Sequence, residues 1–234
     1  MTSDGFFGLE HMPKKVAMVG GGYIAVELAG VFKALGADVT IIIRQDQFLR
    51  HFDDIIRQTV MEEYEKMGIK VVKCATISMV ENTGTSDKKN LKLHLKTSSG
   101  LSELDGFEEL IWAIGREANT EPLNLQSTGV QSNKNGFIVA DEYQQTNVPG
   151  IFALGDVCGV AMLTPVAIAA ARKLSDRLFG GHAGAKLDYS NIPSVIFSHP
   201  PCGSIGLTEQ EARTKHGDDN IKIYKSKVLV SSFC

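Results

Sequence analysis

The feature that most constrains this chain is a short apolar strand at residues 16–19. It runs straight into Gly20-Gly21-Gly22 and is followed by a helical stretch at 23–35 that Gly36 stops. Gly20-x-Gly22-x-x-Ala25 thus lies where a strand ends and a helix opens, the context that makes a glycine pattern a dinucleotide fingerprint. Gly20 permits a tight turn, Gly22 lets the backbone approach a pyrophosphate, and Ala25 is small enough for helix and strand to pack closely. The helix N-terminus then faces the negative charge, so Gly20, Gly22, Tyr23, Ile24 and Ala25 are the candidate cofactor contacts. The bland alternative is a glycine-rich turn with no ligand.

A β-branched strand at 39–43 follows, then a helix that Asp53 can cap and Gly68 ends, then a strand at 69–73. This β-α-β-α-β run predicts a parallel sheet. The residue closing the second strand is Arg44, where a carboxylate would accept from a ribose 2′-hydroxyl and repel a 2′-phosphate. Arg50, six residues on, supplies a second planar fork donor, and together the two favour NADPH over NADH; either alone reads as an ordinary surface arginine. Tyr23 and Glu27, four apart, share one face of the fingerprint helix.

Alternation at 91–96 and the polar stretch 82–90 predict an antiparallel insert with an exposed loop. A strand at 110–114 ends at Gly115-Arg116, and 119–122 has the turn chemistry of a crossover. Strands are expected at 137–139 and 151–154, the latter delivering Asp156 at its C-terminal edge. A helix with Thr164 as cap and Pro165 at its first position is expected to run to 179. Residues 180–192 read as a linker, and a further unit starts at 194–197, with Thr208 and Glu211 forming a capping box.

A net charge of −3 and a pI near 6.1 give no field to gather nucleic acid or an anionic membrane. No apolar run approaches the roughly 18 residues that span a bilayer, and the start of the chain lacks signal-peptide features, so the expected location is cytoplasmic. Cys74, Cys158, Cys202 and Cys234 are widely separated, which excludes Cys-x-x-Cys metal or redox spacing and favours reduced thiols; no metal site is expected.

The string Thr146-Asn147-Val148-Pro149-Gly150-Ile151-Phe152-Ala153-Leu154-Gly155-Asp156 resembles the second FAD motif of the pyridine nucleotide-disulfide oxidoreductases. Within them, 22–27 (Gly-Tyr-Ile-Ala-Val-Glu), 163–170 and Phe197-Ser198-His199-Pro200-Pro201 resemble the glutathione-disulfide reductases, and the resemblance covers nearly the whole chain. Large thioredoxin reductases and trypanothione reductases share the architecture without the Ser-His-Pro-Pro string. Dihydrolipoamide dehydrogenases carry an acidic residue where Arg44 stands.

The resemblance implies an α/β fold: a Rossmann-like NADPH-binding domain with antiparallel insert at 1–118 (linker 1–12), a central FAD-contacting domain at 119–189, and the start of an α+β interface domain at 190–234. It implies that Tyr23 covers the flavin until nicotinamide arrives, that Glu27 pairs with a lysine not found in this chain, and that Arg44 and Arg50 hold the 2′-phosphate. Gly115 and Arg116 would line the NADPH site, Asp156 and Thr164 would contact FAD, and Arg172 would face a glutathione carboxylate. Gln45 departs from the His often found after the first arginine. Glutathione disulfide as substrate and a homodimer are implied for the complete enzyme.

The family's first FAD fingerprint, its Cys-x-x-x-x-Cys pair and its His-Pro-Thr segment do not occur in the 234 residues, and after about residue 225 the sequence stops resembling the family. The chain therefore reads as a partial copy that is inactive alone. The alternatives are a non-catalytic NADPH-binding fragment and a thioredoxin reductase-type flavoprotein.

Overall fold

The computed structural model describes residues 1–85 and 88–226, in two compact units: Met1–Ile114 with Asn191–Cys234, and Gly115–Ser190. After a one-turn helix α1 (Ser3–Phe6), β1 (Lys15–Val19), α2 (Tyr23–Ala34), β2 (Asp38–Ile42), α3 (Asp54–Lys66) and β3 (Lys70–Val72) alternate as the sequence predicts. The insert is β4 (Ala75–Asn82), β5 (Leu91–Thr97) and β6 (Gly100–Phe107), joined antiparallel, after which β7 (Glu109–Trp112) rejoins the first sheet. That sheet is parallel throughout, in the order β3-β2-β1-β7.

Alternation along β1 explains why the insert exists. Val16 and Met18 pack in one cluster with Ala25, Phe32 and Tyr64 of the helices; Ala17 and Val19 pack in another with Leu93, Leu95 and Phe107 of the insert. A parallel strand buried on both faces needs two apolar covers, and here helices supply one and the antiparallel sheet the other. Each fully buried aliphatic or aromatic side chain contributes about 1.5–3 kcal/mol, so both faces are well sealed.

The second unit contains a 3-10 turn (Glu121–Leu123), α4 (Leu125–Thr128), a 3-10 turn (Gly155–Cys158) and α5 (Thr164–Phe179) around a small cluster of Val130, Ile138 and Ala153. The strands expected at 137–139 and 151–154 are reduced to single bridges, Ser132↔Ile138 and Gln145↔Phe152. A ladder needs a neighbour that stays alongside. Here the partner chain turns away at once: Gln144 has φ +60, and the Asp141 carboxylate accepts from the N–H groups of Tyr143 and Gln145 to close a turn. Helix α5 starts at Thr164 itself, with Leu163 as the capping residue and no side-chain cap, so the expected Thr164 cap is displaced by one position.

Residues 191–226 form β8 (Ser194–Ile196), β9 (Cys202–Ser204) and α6 (Glu209–His216). This segment is anchored in the first unit: Ile196 is buried in the cluster around Tyr64, and the Phe197 N–H donates to Glu27 Oε1 at 2.9 Å. Thr208 and Glu211 form the expected capping box. Asp53, expected to cap α3 with its side chain, instead accepts from the Glu209 N–H at 2.6 Å, so its carboxylate serves the first turn of α6. The tail 227–234, where the family resemblance was expected to fade, and Cys234 within it lie outside the described residues.

Tyr64 ties the first unit together. Its ring is fully buried, its hydroxyl donates to Val26 O at 2.8 Å, and burial pushes its pKa up to about 12. Because the folded-state value lies above the ordinary value near 10, the tyrosine's contribution is complete below pH 10 and is lost as pH rises towards 12. We expect Tyr64→Phe to cost about 1 kcal/mol at pH 7, by removing the hydroxyl's bond to Val26 O, and to flatten the loss of stability above pH 10. Urea unfolding at pH 7 and 10.5 checks both; an unchanged alkaline slope would count against Tyr64 as its source.

Candidate functional site

The candidate site lies where β1 ends between β2 and β7, the point at which connections leave the sheet in opposite directions and α/β sheets bind ligands. Gly20 donates its N–H to Ile42 O at 3.0 Å, and Ala113 donates to Val19 O at 2.8 Å, pinning the turn to both neighbouring strands. Gly20 has φ +133, and a Cβ there would stand 2.2 Å from Ala113 O, so only glycine fits. Gly22 is different: a Cβ on it would meet nothing within 4 Å, so its backbone faces open space. It is also the capping residue of α2 and offers no side-chain cap, which leaves the first N–H groups of a 12-residue helix, beginning with Tyr23 and Ile24, available to an anion. Ala25 is fully buried against the sheet.

The segment following β2 crosses this turn, with the Leu49 N–H donating to Gly21 O at 2.7 Å. Arg44 and Arg50 are both exposed, and Arg50 Nε donates to His51 Nε2 at 3.0 Å. Tyr23, 42% exposed, and Glu27 are on α2 as expected, but the Glu27 carboxylate is already engaged by the Phe197 N–H. Nothing local in the sequence marks that contact, which joins residues 170 apart.

The remaining expected site residues belong to the second unit. Gly115 and Arg116 are exposed at its start, Asp156 is exposed in the Gly155–Cys158 turn, Thr164 is the exposed first residue of α5, and Arg172 is exposed further along that helix. The α5 N-terminus, like that of α2, has no side-chain cap. Cys158 is half-buried and burial pushes its thiol pKa up, away from the thiolate that attacks disulfides. Cys74 is exposed, and Cys202 is half-buried with its sulfur 3.5 Å from Ser198 Oγ.

A parallel sheet, a glycine turn closed to any side chain at its first position and open at its third, and an uncapped helix end together define a Rossmann-type dinucleotide-binding protein. Residues 1–171 match the family described as pyridine nucleotide-disulphide oxidoreductase, and residues 192–232 match the dimerisation domain of the same group, so the family match runs past residue 225, where the resemblance was expected to end. The chain belongs to the pyridine nucleotide-disulphide oxidoreductases.

It is 51% identical over 228 residues to glutathione reductase of Schizosaccharomyces pombe, and 47% identical over 232 residues to glutathione reductase of Yarrowia lipolytica. These alignments cover 97% and 98% of this chain and 48% of each relative, so the chain spans about half the length of the curated relatives it matches. Among solved structures, HOCl-induced flavoprotein disulfide reductase RclA from Escherichia coli is 27% identical. A Cu(II) complex of a mutant form aligns at a TM-score of 0.84 over 93% of this chain and 47% of that one. The unmutated protein aligns at 0.79 over 92% and 47%. Proteins of this family work with a flavin and a pyridine nucleotide. Among the described residues no helix is long and apolar enough to cross a membrane.

Proposed function

We propose that this chain carries the NADPH-binding machinery and part of the FAD-binding machinery of a glutathione-disulfide reductase that acts as a homodimer in its complete form. The observation that carries the nucleotide half is the pairing of an uncapped α2 N-terminus with two exposed arginines after β2, Arg44 standing at the position where a carboxylate would favour NADH. The open space at Gly22 fits a pyrophosphate, and the free N–H groups of Tyr23 and Ile24 would hold it. Arg44 and Arg50 would bind the 2′-phosphate, with Gly115 and Arg116 contributing to the rest of the nucleotide.

Asp156 and Thr164 fit the ribityl chain and ring of FAD as exposed polar groups beside an uncapped helix end, and Tyr23 would cover the flavin until the nicotinamide displaces it. When bound, NADPH supplies hydride and FAD passes the electrons on towards a disulfide. Arg172 would orient a glutathione carboxylate. The dimerisation-domain match at residues 192–232 supports the homodimer, and the cytoplasm is the proposed location. A second reading, a non-catalytic NADPH-binding module, is favoured by the absence of paired cysteine spacing in the 234 residues.

Titration calorimetry separates nucleotide recognition from fold. Two charge-assisted contacts, each about 1.5–3 kcal/mol before ordering costs, should leave a net preference for NADPH over NADH of about 3 kcal/mol, roughly 100-fold. Arg44→Ala should remove at least about tenfold of it while leaving NADH affinity alone. Equal affinities for the two nucleotides would overturn the assignment.

A further inference from the structure

Between Arg44 and Arg50 the chain is held to its surroundings at alternate residues, Gln45, Gln47 and Leu49. The Gln45 carbonyl accepts from the Cys74 N–H at 3.0 Å, and the Leu49 N–H donates to Gly21 O at 2.7 Å. Between them, the Gln47 side-chain oxygen accepts from Nη2 of Arg57, in the first turn of α3. The outer two are backbone bonds that many sequences can form; the middle one needs these two side chains.

The Arg57 guanidinium is held in its orientation. Nη1 donates to Asp54 Oδ1 at 2.8 Å and Nη2 to Gln47, while Nε is buried with no partner among the described residues, so the guanidinium is tethered at two points. Gln47 in turn rests on the glycine turn: its backbone oxygen lies 3.7 Å from where a Cβ on Gly21 would stand, and the adjacent Phe48 is fully buried. Arg44 and Arg50 flank Gln47, each three residues away.

We propose that Arg57 is a positioning residue which, through Gln47, fixes the spacing of Arg44 and Arg50 and so sets the preference for a 2′-phosphorylated dinucleotide. The inference rests on the NADPH reading above. Two arginines act on one phosphate as a pair only if their spacing is set before the ligand arrives; otherwise ordering the segment consumes what the second contact adds. The guanidinium fork suits this task because its donors are rigidly arranged and one nitrogen can anchor to Asp54 while another grips Gln47.

The test uses the 234-residue chain with NADPH and NADH in calorimetry, and thermal unfolding of each variant alongside. Arg57→Ala and Gln47→Ala should each weaken NADPH by about tenfold and change NADH by less than about twofold, and the double variant should be no weaker than either single one. Gln47→Ala keeps the Arg57 charge, so it separates a clamp from a direct contact. If Arg57→Ala loses NADPH affinity while Gln47→Ala does not, if the losses add, or if both nucleotides weaken equally, the clamp is overturned. Should Arg57→Ala fail to fold, Gln47→Ala in its half-buried segment position decides the matter alone. Arg44→Ala guards the premise: if it leaves the preference intact, the NADPH reading falls, whereas if it abolishes the preference and both clamp variants keep it, only the clamp falls.

Discussion

Gly20→Ala should both destabilise the first unit by more than about 3 kcal/mol and abolish measurable NADPH binding, whereas Gly22→Ala should do only the second. At Gly20 a Cβ would stand 2.2 Å from Ala113 O, a backbone atom of the residue whose own N–H donates to Val19 O. That oxygen cannot retreat without pulling β7 from β1. The φ of +133 adds strain of about 1–3 kcal/mol for any L side chain. Against a typical domain stability of about 5–15 kcal/mol, the loss is large enough to move the urea midpoint well clear of error.

Gly22 has φ −85, and a methyl group attached there would have nothing within 4 Å, so alanine should change stability by no more than about 0.5 kcal/mol. The same methyl would occupy the space in which a pyrophosphate approaches α2, and a drop in NADPH affinity of at least about 100-fold is expected, the backbone N–H contacts being lost together. Urea unfolding and calorimetry on both variants check the pair of outcomes. A stable Gly20→Ala protein, or a Gly22→Ala protein that binds NADPH normally, would falsify this account of the turn.

The glycine turn, the parallel sheet, the insert and the Thr208 capping box were legible in the sequence because each depends on residues close together in the chain. Apolar periodicity of the strands and side-chain preferences at caps are local physics. What escaped is non-local. Asp53 has the right residue type and position to cap α3, yet its carboxylate serves Glu209, 156 residues away. Glu27 on its helix face gives no sign that it accepts from Phe197, and Arg57 reads as one more solvated helical arginine until Gln47 is brought over it. The segment 151–154 has the composition of a buried strand, but a strand's extent is decided by its neighbour, and here the neighbour turns after one pair. The side-chain contact of Gln47, three residues from each of Arg44 and Arg50, with Arg57 is likewise invisible to local patterning.

The 234-residue polypeptide, purified alone with excess FAD, should neither reduce glutathione disulfide nor retain flavin at one equivalent. Disulfide exchange requires a thiolate beside the flavin and a second cysteine to resolve the mixed disulfide. No two of Cys74, Cys158, Cys202 and Cys234 have the spacing for that pair. The Cys158 thiol is also moved the wrong way, since burial raises its pKa and lowers the thiolate fraction at neutral pH. Cys202 is half-buried with its sulfur beside the Ser198 hydroxyl. On the flavin side, Asp156 and Thr164 offer contacts to the ribityl chain and ring, but the only fingerprint turn in the sequence, at Gly20, serves the nicotinamide nucleotide. FAD binding through one half of its contacts should be at least about 100-fold weaker than through both, and gel filtration then strips it. The measurement is the flavin absorbance that elutes with protein, together with NADPH oxidation in the presence of glutathione disulfide. Co-eluting flavin with disulfide-dependent turnover that persists in Cys158→Ala and Cys202→Ala would show that these residues contain a route to the disulfide other than a cysteine pair, and the proposed division of labour between this chain and the rest of a complete reductase would fall.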